Sequence, residues 1–213
     1  MLQITILLRA GEEPMGKIFC LMGKSSSGKD TIYKKLLEDT SLSLKKIIPC
    51  TTRPIRNGET HGVEYYFYTE EELAELEQAG KIIELRAYDT VHGIWKYFTA
   101  DDHQIDLSRN SYLIIGTLES YEKMQEYFGK DKLVPIYICV DDGIRLQRAL
   151  DRERAQEEPR YSEMCRRFLA DEKDFSQEKL KACGIEKHFC NQELSETIRE
   201  ITAYIQTFLT PWR

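Results

Sequence analysis

A glycine-rich segment at residues 23–31, called the phosphate loop below, has the residue types and spacing that bind phosphate. It reads Gly-Lys-Ser-Ser-Ser-Gly-Lys-Asp-Thr and matches the pattern G-x-x-x-x-G-K. The glycines let backbone N–H groups turn inward to form an anion nest, and the lysine places a charge against the β and γ oxygens of a nucleoside triphosphate. The residues predicted to bind the triphosphate are Gly23, Lys24, Ser25, Ser26, Ser27, Gly28, Lys29, Asp30 and Thr31.

The residue after the lysine departs from this pattern. The motif has a serine or threonine hydroxyl there to hold magnesium, whereas this chain has Asp30. Either the Asp30 carboxylate supports the metal, directly or through water, or Thr31 takes that role. An aspartate also suits the first turn of a helix without binding any metal. We predict Asp30 as the metal-supporting residue.

A second group of polar residues lies further along the chain. Arg53 and Arg56 are three residues apart in a stretch that reads Thr-Thr-Arg-Pro-Ile-Arg-Asn-Gly-Glu, and Tyr65 lies beyond it. Two arginines and a tyrosine hydroxyl suit a dianionic monophosphate, which they would hold by charge-assisted hydrogen bonds. Alone, the stretch is equally typical of a solvated basic turn. Beside a phosphate loop, it predicts an acceptor site.

These motifs need a scaffold, and the apolar runs indicate which one. The phosphate loop lies between a short buried strand and a segment with helical spacing. Further buried runs are separated by segments typical of helices, which predicts an α/β protein with a parallel sheet of the P-loop NTPase type, flanked by helices. The predicted strands are 17–22, 47–48, 112–115 and 134–140.

The segment at residues 53–98 has a different character, since it is rich in tyrosine, charge and glycine. Thr69 and Glu72 form a capping box pattern, and Gly80 marks the end of the helix that they begin. Residues alternate in character around 63–68. We therefore predict a small mixed α/β subdomain inserted into the parallel sheet.

Composition limits the classes of partner. The chain has 213 residues, is 41% hydrophobic and carries a net charge of −6, which argues against a broad nucleic-acid footprint or a basic membrane face. No apolar run reaches the roughly 18 residues of a membrane span. The six cysteines show no C-x-x-C pair and are predicted to be reduced thiols of a cytoplasmic protein. Nothing indicates an obligate protein partner.

The first sixteen residues fit poorly with the rest of the chain. A break at residues 10–14 precedes a second methionine, Met15, and then the first convincing strand. We predict that 1–16 is a disordered extension, or that Met15 is the true start, and that the folded domain spans 17–213.

The sequence resembles the guanylate kinase family. The resemblance rests on the motif T-T-R-x-x-R-x-G-E-x-x-G-x-x-Y-x-F, which follows a phosphate loop of this kind. The resemblance extends from about Lys17 to the last helix. It implies an ATP- and magnesium-dependent kinase whose acceptor is GMP. Arg53, Arg56 and Tyr65 would hold the GMP phosphate, and Glu84 would accept hydrogen bonds from the guanine edge.

The resemblance also implies how the chain is divided. The core would comprise 17–52 and 99–213, the acceptor-binding insertion 53–98, and a helical lid about 152–166. Lid residues Arg152 and Arg167 would close over the transferred phosphoryl group as catalytic residues. Each is equally suited to a solvent-exposed ion pair on an amphipathic helix. Asn191 would lie on the adenine side, or would cap the last helix.

Several positions depart from the family pattern. Ile115 and Thr117 stand in place of two aspartates, Pro49 in place of a serine, and Val-His-Gly at 91–93 in place of Tyr-Tyr-Gly. With Asp30, these changes resemble ribose 1,5-bisphosphate phosphokinases, which are an alternative, as are other nucleoside monophosphate kinases. A non-catalytic binding module of the kind found in membrane-associated scaffolds is a third interpretation, although such modules generally lose the phosphate loop.

Overall fold

A computed structural model describes residues 15–90 and 93–209 of the chain. Most of the predicted N-terminal extension and His92 therefore lie outside the described residues. Gly16 is buried, and its N–H donates to the carbonyl of Leu107 (2.7 Å). Folded structure thus includes at least one residue before the predicted domain start at 17.

The described residues form nine strands and seven α-helices. The strands are β1 (Ile18–Gly23), β2 (Lys45–Lys46), β3 (Cys50–Thr51), β4 (Tyr66–Phe67), β5 (Ile82–Thr90), β6 (Gly93–Ala100), β7 (Tyr112–Ile115), β8 (Leu133–Cys139) and β9 (His188–Cys190). The helices are α1 (Lys29–Glu38), α2 (Glu70–Gln78), α3 (Leu118–Phe128), α4 (Asp142–Arg154), α5 (Tyr161–Asp174), α6 (Gln177–Ala182) and α7 (Leu194–Gln206). A short 3₁₀ turn, Lys130–Lys132, precedes β8.

The main sheet has the order β2-β7-β1-β8-β9, and all its neighbouring strands are parallel. Every residue of β1 is buried, because helices cover both faces of the sheet. Side chains alternate along the strand: Cys20 faces a cluster that includes Met124 of α3, while Phe19 faces a cluster that includes Ile32 of α1 and Ile201 of α7. The prediction of a parallel sheet flanked by helices is confirmed.

The predicted strands at 17–22 and 134–140 are each displaced by one residue from β1 and β8, β9 was not predicted, and the largest difference is at β2. A core strand was expected at 47–48, but β2 occupies Lys45–Lys46. Ile47 still donates its N–H to the Leu113 carbonyl (3.2 Å) and is buried. The apolar Ile47 marks where the chain enters the core. The two residues that pair with β7 precede it and are exposed lysines, so no apolar pattern indicates the strand.

The second sheet is small and mixed, with the order β4-β3-β6-β5. Strand β3 is parallel to β4 and antiparallel to β6, and β5 is antiparallel to β6. The capping box of Thr69 and Glu72 is present at the start of α2, as predicted. The sheet begins at Cys50 and ends at Ala100, so it extends a few residues beyond the predicted insertion at 53–98 on both sides.

Helices α4 and α5 flank the connection at residues 155–160. The predicted lid, about 152–166, therefore comprises the end of α4, this connection and the first turns of α5. In the part of the chain that the structure describes, no helix has the length and apolar character needed to cross a membrane.

The cysteine prediction was wrong for two of the six residues. Cys139 and Cys190 end the adjacent parallel strands β8 and β9, are in register, and form a disulfide across a Cα–Cα distance of 4.6 Å. These two residues are 51 positions apart, so no local signal indicated the pairing. Cys20 and Cys50 are free and buried, and burial raises the pKa of each thiol to about 12, so neither is a reactive thiolate at neutral pH.

Candidate active site

The phosphate loop joins β1 to α1, where the motif requires it to lie. At Gly23, an added Cβ would lie 2.7 Å from the Ile138 carbonyl oxygen of the neighbouring strand. At Gly28, the backbone has φ 87°, and an added Cβ would lie 2.5 Å from the side-chain nitrogen of Asn191. Ser26 also has a positive φ of 62°. The loop is therefore a tight turn whose two glycines are required by contact with other backbone and side-chain atoms.

A substitution at Gly28 tests how much of the loop depends on this contact. Gly28→Ala should lose about 1–2 kcal/mol of stability from the positive φ alone, and should also weaken ATP binding because Asn191 must move. Gly184→Ala is the matched control, since Gly184 has φ 69° with nothing within 4 Å of an added Cβ. Urea denaturation should show the backbone cost alone in Gly184→Ala and a larger loss of stability in Gly28→Ala, where Asn191 must also move. Calorimetric ATP titration should show reduced ATP affinity only in Gly28→Ala.

Asn191 is 4% exposed, and it contacts the loop. Its side-chain amide donates to the Ser27 carbonyl (2.8 Å), and its backbone N–H donates to the Cys139 carbonyl (2.8 Å). The interpretation of Asn191 as a helix cap is wrong, because α7 begins at Leu194 and the Glu193 side chain caps it. Asn191 connects the end of the main sheet to the phosphate loop, and a role toward adenine stays a prediction.

Lys29 occupies the first turn of α1 and forms no ion pair with any described residue. Asp30 and Thr31 come next, and both are exposed. No group of three His, Cys, Asp or Glu residues with metal-binding geometry occurs within 15–90 and 93–209, so Asp30 belongs to no such group there. The buried hydroxyls of Ser26 and Ser27 lack a hydrogen-bond partner among the described residues.

The other side of the loop is anchored to α5. The Lys24 ammonium donates to Glu172 (2.6 Å), and the Ser25 N–H donates to the Asp171 carboxylate (2.7 Å). Arg145 of α4, which is 1% exposed, donates to the Ser25 carbonyl (3.1 Å) and to Glu172 (2.8 Å). Lys24 and Ser25 were predicted to contact the triphosphate, but in this conformation the Lys24 ammonium and the Ser25 N–H bind the last turns of α5.

Arg152 of α4 and Arg167 of α5 line one cavity together with Ser25. Both side chains are exposed and form no ion pair within the described residues. The structure therefore brings together the two lid arginines that the sequence singled out, beside the phosphate loop. Their positive charge is available to a ligand, although their catalytic role stays a prediction.

The residues predicted to bind the acceptor lie at the small sheet. Arg53 is 3% exposed and forms a bidentate pair with Glu59 (3.0 and 2.9 Å). Burial lowers the pKa of Arg53, but the hydrogen bond and charge of Glu59 outweigh it and hold that pKa above its ordinary value. Its guanidinium lies over the Tyr65 ring at 5.4 Å, and its buried Nε has no partner in the part of the chain described. Arg56 is exposed and approaches the Trp95 ring at 5.9 Å.

Glu84 is buried and already engaged by another charged residue. Arg86, two residues on in β5, donates to both Glu84 oxygens (2.9 and 3.2 Å), and Thr99 of β6 donates to one of them (2.9 Å). Arg86 also donates to the Thr117 hydroxyl (3.4 Å) at the start of α3. Burial lowers the pKa of Arg86, yet Glu84 outweighs it and the pKa is raised. The pair of Glu84 and Arg86, called the base-end pair below, is thus fixed between the small sheet and α3.

Arg86 and the anchor formed by Arg145, Asp171 and Glu172 were not among the predicted site residues. A signal for Arg86 was present, because residues two apart on a strand face the same side, and Arg86 is two residues from the selected Glu84. The contacts of Arg145 join segments up to 120 residues apart, and no local pattern indicates them.

Known proteins resemble this chain in sequence and in fold. A sequence model described as guanylate kinase matches residues 15–96. A guanylate kinase of Anaplasma phagocytophilum is 31% identical over 147 residues, which cover 67% of each chain. A guanylate kinase of Wolbachia sp. subsp. Brugia malayi is 27% identical over 199 residues, covering 91% of this chain and 93% of the relative. The crystal structure of guanylate kinase from A. phagocytophilum superposes with a TM-score of 0.60 at 24% identity, covering 92% of this chain and 87% of that one.

Proposed function

This chain belongs to the guanylate kinase family, and on that premise we propose that it transfers the γ-phosphoryl group of ATP to GMP. The observation that carries the proposal is the phosphate loop, in which Lys29 is free of ion pairs with the described residues at the start of α1. A helix N-terminus with an unpaired lysine is a ready-made site for a triphosphate.

On the donor side, the ATP phosphates would lie in the turn between Gly23 and Gly28. Lys29 would bind the β and γ oxygens, and the buried Ser26 and Ser27 hydroxyls would gain the partners that they lack among the described residues. The Asp30 carboxylate suits Mg²⁺, which is commonly held by one or two carboxylates and the substrate phosphates; Thr31 is the alternative ligand. When bound, the metal would neutralise charge on the phosphate oxygens.

On the acceptor side, the GMP phosphate would bind Arg56, Arg53 and Tyr65, with the base toward Glu84. Burial raises the pKa of Tyr65, so its phenol stays protonated and can donate to a phosphate oxygen. An oxygen of the acceptor phosphate attacks the γ-phosphorus in line, and the bond from γ-phosphorus to the β–γ bridging oxygen breaks, which releases ADP. Arg152 and Arg167 offset the charge that spreads over the transferring group.

A sugar bisphosphate is the second candidate acceptor. The observation in its favour is the positive Arg86, which donates to Thr117, one of the two positions where the family pattern has an aspartate. An arginine would bind the second phosphate of ribose 1,5-bisphosphate by donating charge-assisted hydrogen bonds to it.

Product formation distinguishes these acceptors. With ATP and Mg²⁺ in excess, ADP release should be fastest with a purine monophosphate, and GMP should exceed CMP, UMP and ribose 1,5-bisphosphate by at least about tenfold in kcat/KM, since one misfitted polar contact costs about that much. Preference for the sugar bisphosphate would overturn the GMP proposal in favour of the second candidate. ATP binding without ADP release for any acceptor would support the non-catalytic module instead.

A further inference from the structure

One face of the small sheet carries the residues of both acceptor ends. Strand pairing sets Thr51 opposite Tyr97, and Tyr97 opposite Arg86, so these side chains share that face. The Tyr97 ring contacts the Tyr65 ring at 5.7 Å. Neighbouring strands are about 4.8 Å apart, so β3 and β5 are separated by roughly 10 Å. A nucleoside monophosphate laid across the strands would place its base at the base-end pair when its phosphate is at Arg53.

The Glu84 carboxylate offers no free edge to such a base. Both of its oxygens accept from the same Arg86 guanidinium, and Oε1 accepts from Thr99 as well. The Glu84 side chain is 1% exposed, whereas that of Arg86 is 13% exposed. A guanine approaching with its paired N–H donors would therefore meet the arginine rather than the carboxylate.

Arg86 retains donors for a ligand. A guanidinium carries five N–H groups, and the hydrogen bonds to Glu84 and Thr117 use three of them. Two N–H groups bond neither Glu84 nor Thr117, and the neighbouring Tyr88 hydroxyl also interacts with this guanidinium. If Tyr88 turns aside, these two groups match a paired-acceptor edge such as the O6 and N7 atoms of a 6-oxopurine.

We propose that Arg86 recognises the acceptor base through its O6 and N7 edge, with Glu84 as the positioning residue that holds the guanidinium. The acceptor class is then the 6-oxopurine monophosphates, GMP and IMP alike, because the exocyclic amine that distinguishes guanine is not read. AMP is rejected, since its N6 amine directs N–H donors at those of Arg86. This inference rests on the proposed kinase function.

Acceptor analogues test the proposal on the unmodified protein. We expect kcat/KM for GMP and IMP to agree within about threefold, and 7-deaza-GMP, which lacks the N7 acceptor, to be about 10- to 100-fold poorer, as is AMP. If Glu84 instead read guanine through its N1–H and amine groups, GMP would exceed IMP by more than about 100-fold, and 7-deaza-GMP would react like GMP. That second pattern would overturn the role of Arg86.

Variants give an independent test. Arg86→Gln should reduce kcat/KM for GMP and IMP equally, by about 10- to 100-fold, with unchanged ATP affinity. If that variant fails to fold because Glu84 is left buried and unpaired, the double variant Glu84→Gln/Arg86→Gln removes both charges. Arg199→Gln is the control, since Arg199 forms an exposed pair with Glu196 on α7. If Arg86→Gln instead raised the ratio of kcat/KM for GMP to that for IMP, Arg86 would only shield Glu84 from the base, and the proposal would be overturned.

Binding separates this inference from the proposed function. If no acceptor is phosphorylated, the kinase proposal fails. Calorimetric titration with GMP, IMP and 7-deaza-GMP then still tests whether Arg86 recognises the base. Equal Kd values for GMP and IMP with weaker 7-deaza-GMP binding would support the recognition of O6 and N7. Selective binding of GMP, or no binding of any of the three nucleotides, would overturn it.

Discussion

Lys29→Ala is expected to lower kcat by about 10²- to 10³-fold, the usual loss when one fixed charge or donor is removed from a transition state. Lys29 forms no ion pair with a described residue, so its side chain contributes little to the folded state. Its removal should therefore leave the unfolding transition in urea unchanged. The measurement is steady-state ADP release with saturating ATP and the best acceptor.

Lys34→Ala is the matched control for this prediction, because Lys34 lies on the same helix and is exposed. It should retain full activity. Lys29→Arg keeps the charge but replaces a compact ammonium by a planar group, so it should recover activity only in part. Turnover at the unmodified rate in Lys29→Ala would remove the phosphate loop from the mechanism and contradict the proposed kinase function.

The phosphate loop and the three central strands of the main sheet, β7, β1 and β8, were predictable because their signals are local. A glycine in the sequence indicates a position where the backbone adopts a conformation that other residues disfavour, such as the positive φ at Gly28. Each buried strand appears as a short apolar run, and β7 was predicted at its observed bounds, Tyr112–Ile115. Capping of α2 was predictable for the same reason, since Thr69 and Glu72 are three residues apart.

The contacts that fix the site were not predictable, because they join distant segments. Asn191 reaches Ser27 across 164 residues, and Cys139 pairs with Cys190 only because β8 and β9 are neighbours in the sheet. The environment of Glu84 was misjudged for a related reason. The sequence shows a carboxylate, but whether its oxygens are free to accept hydrogen bonds from a ligand depends on Arg86. Strand pairing sets the face of the sheet on which the Arg86 side chain lies.

Arg145 is the residue for which we expect the largest loss of stability. It is 1% exposed and pairs with Asp142, Asp171 and Glu172, while the Phe168 ring packs against its guanidinium at 4.6 Å. Breaking a buried ion pair by removal of one partner costs about 3–5 kcal/mol. Asp142 and Glu172 are partly exposed and can be solvated, so for Arg145→Met we expect about 2–4 kcal/mol in urea denaturation.

The same substitution should also weaken ATP binding, because Arg145 holds both the Ser25 carbonyl and the α5 carboxylate that pairs with Lys24. Without it, the phosphate loop loses the hydrogen bond from Ser25 to α4 and keeps only the weaker Lys24–Asp142 ion pair (3.6 Å) with that helix among the described residues, while Asp171 and Glu172 lose a counter-charge. Calorimetric ATP titration at a temperature where the variant is folded separates this effect from global unfolding.

Arg109→Met provides the comparison, since Arg109 is 82% exposed in its side chain and pairs only with the exposed Asp106 among the described residues. Surface pairs of this kind contribute about 0–1 kcal/mol, so this variant should unfold like the unmodified protein. If Arg145→Met behaves like Arg109→Met in both measurements, the anchor does not hold the loop. Helices α4 and α5 would then be free to move without displacing Ser25. Closure of Arg152 and Arg167 over a bound triphosphate would not depend on the contacts of Arg145 with Ser25, Asp171 and Glu172.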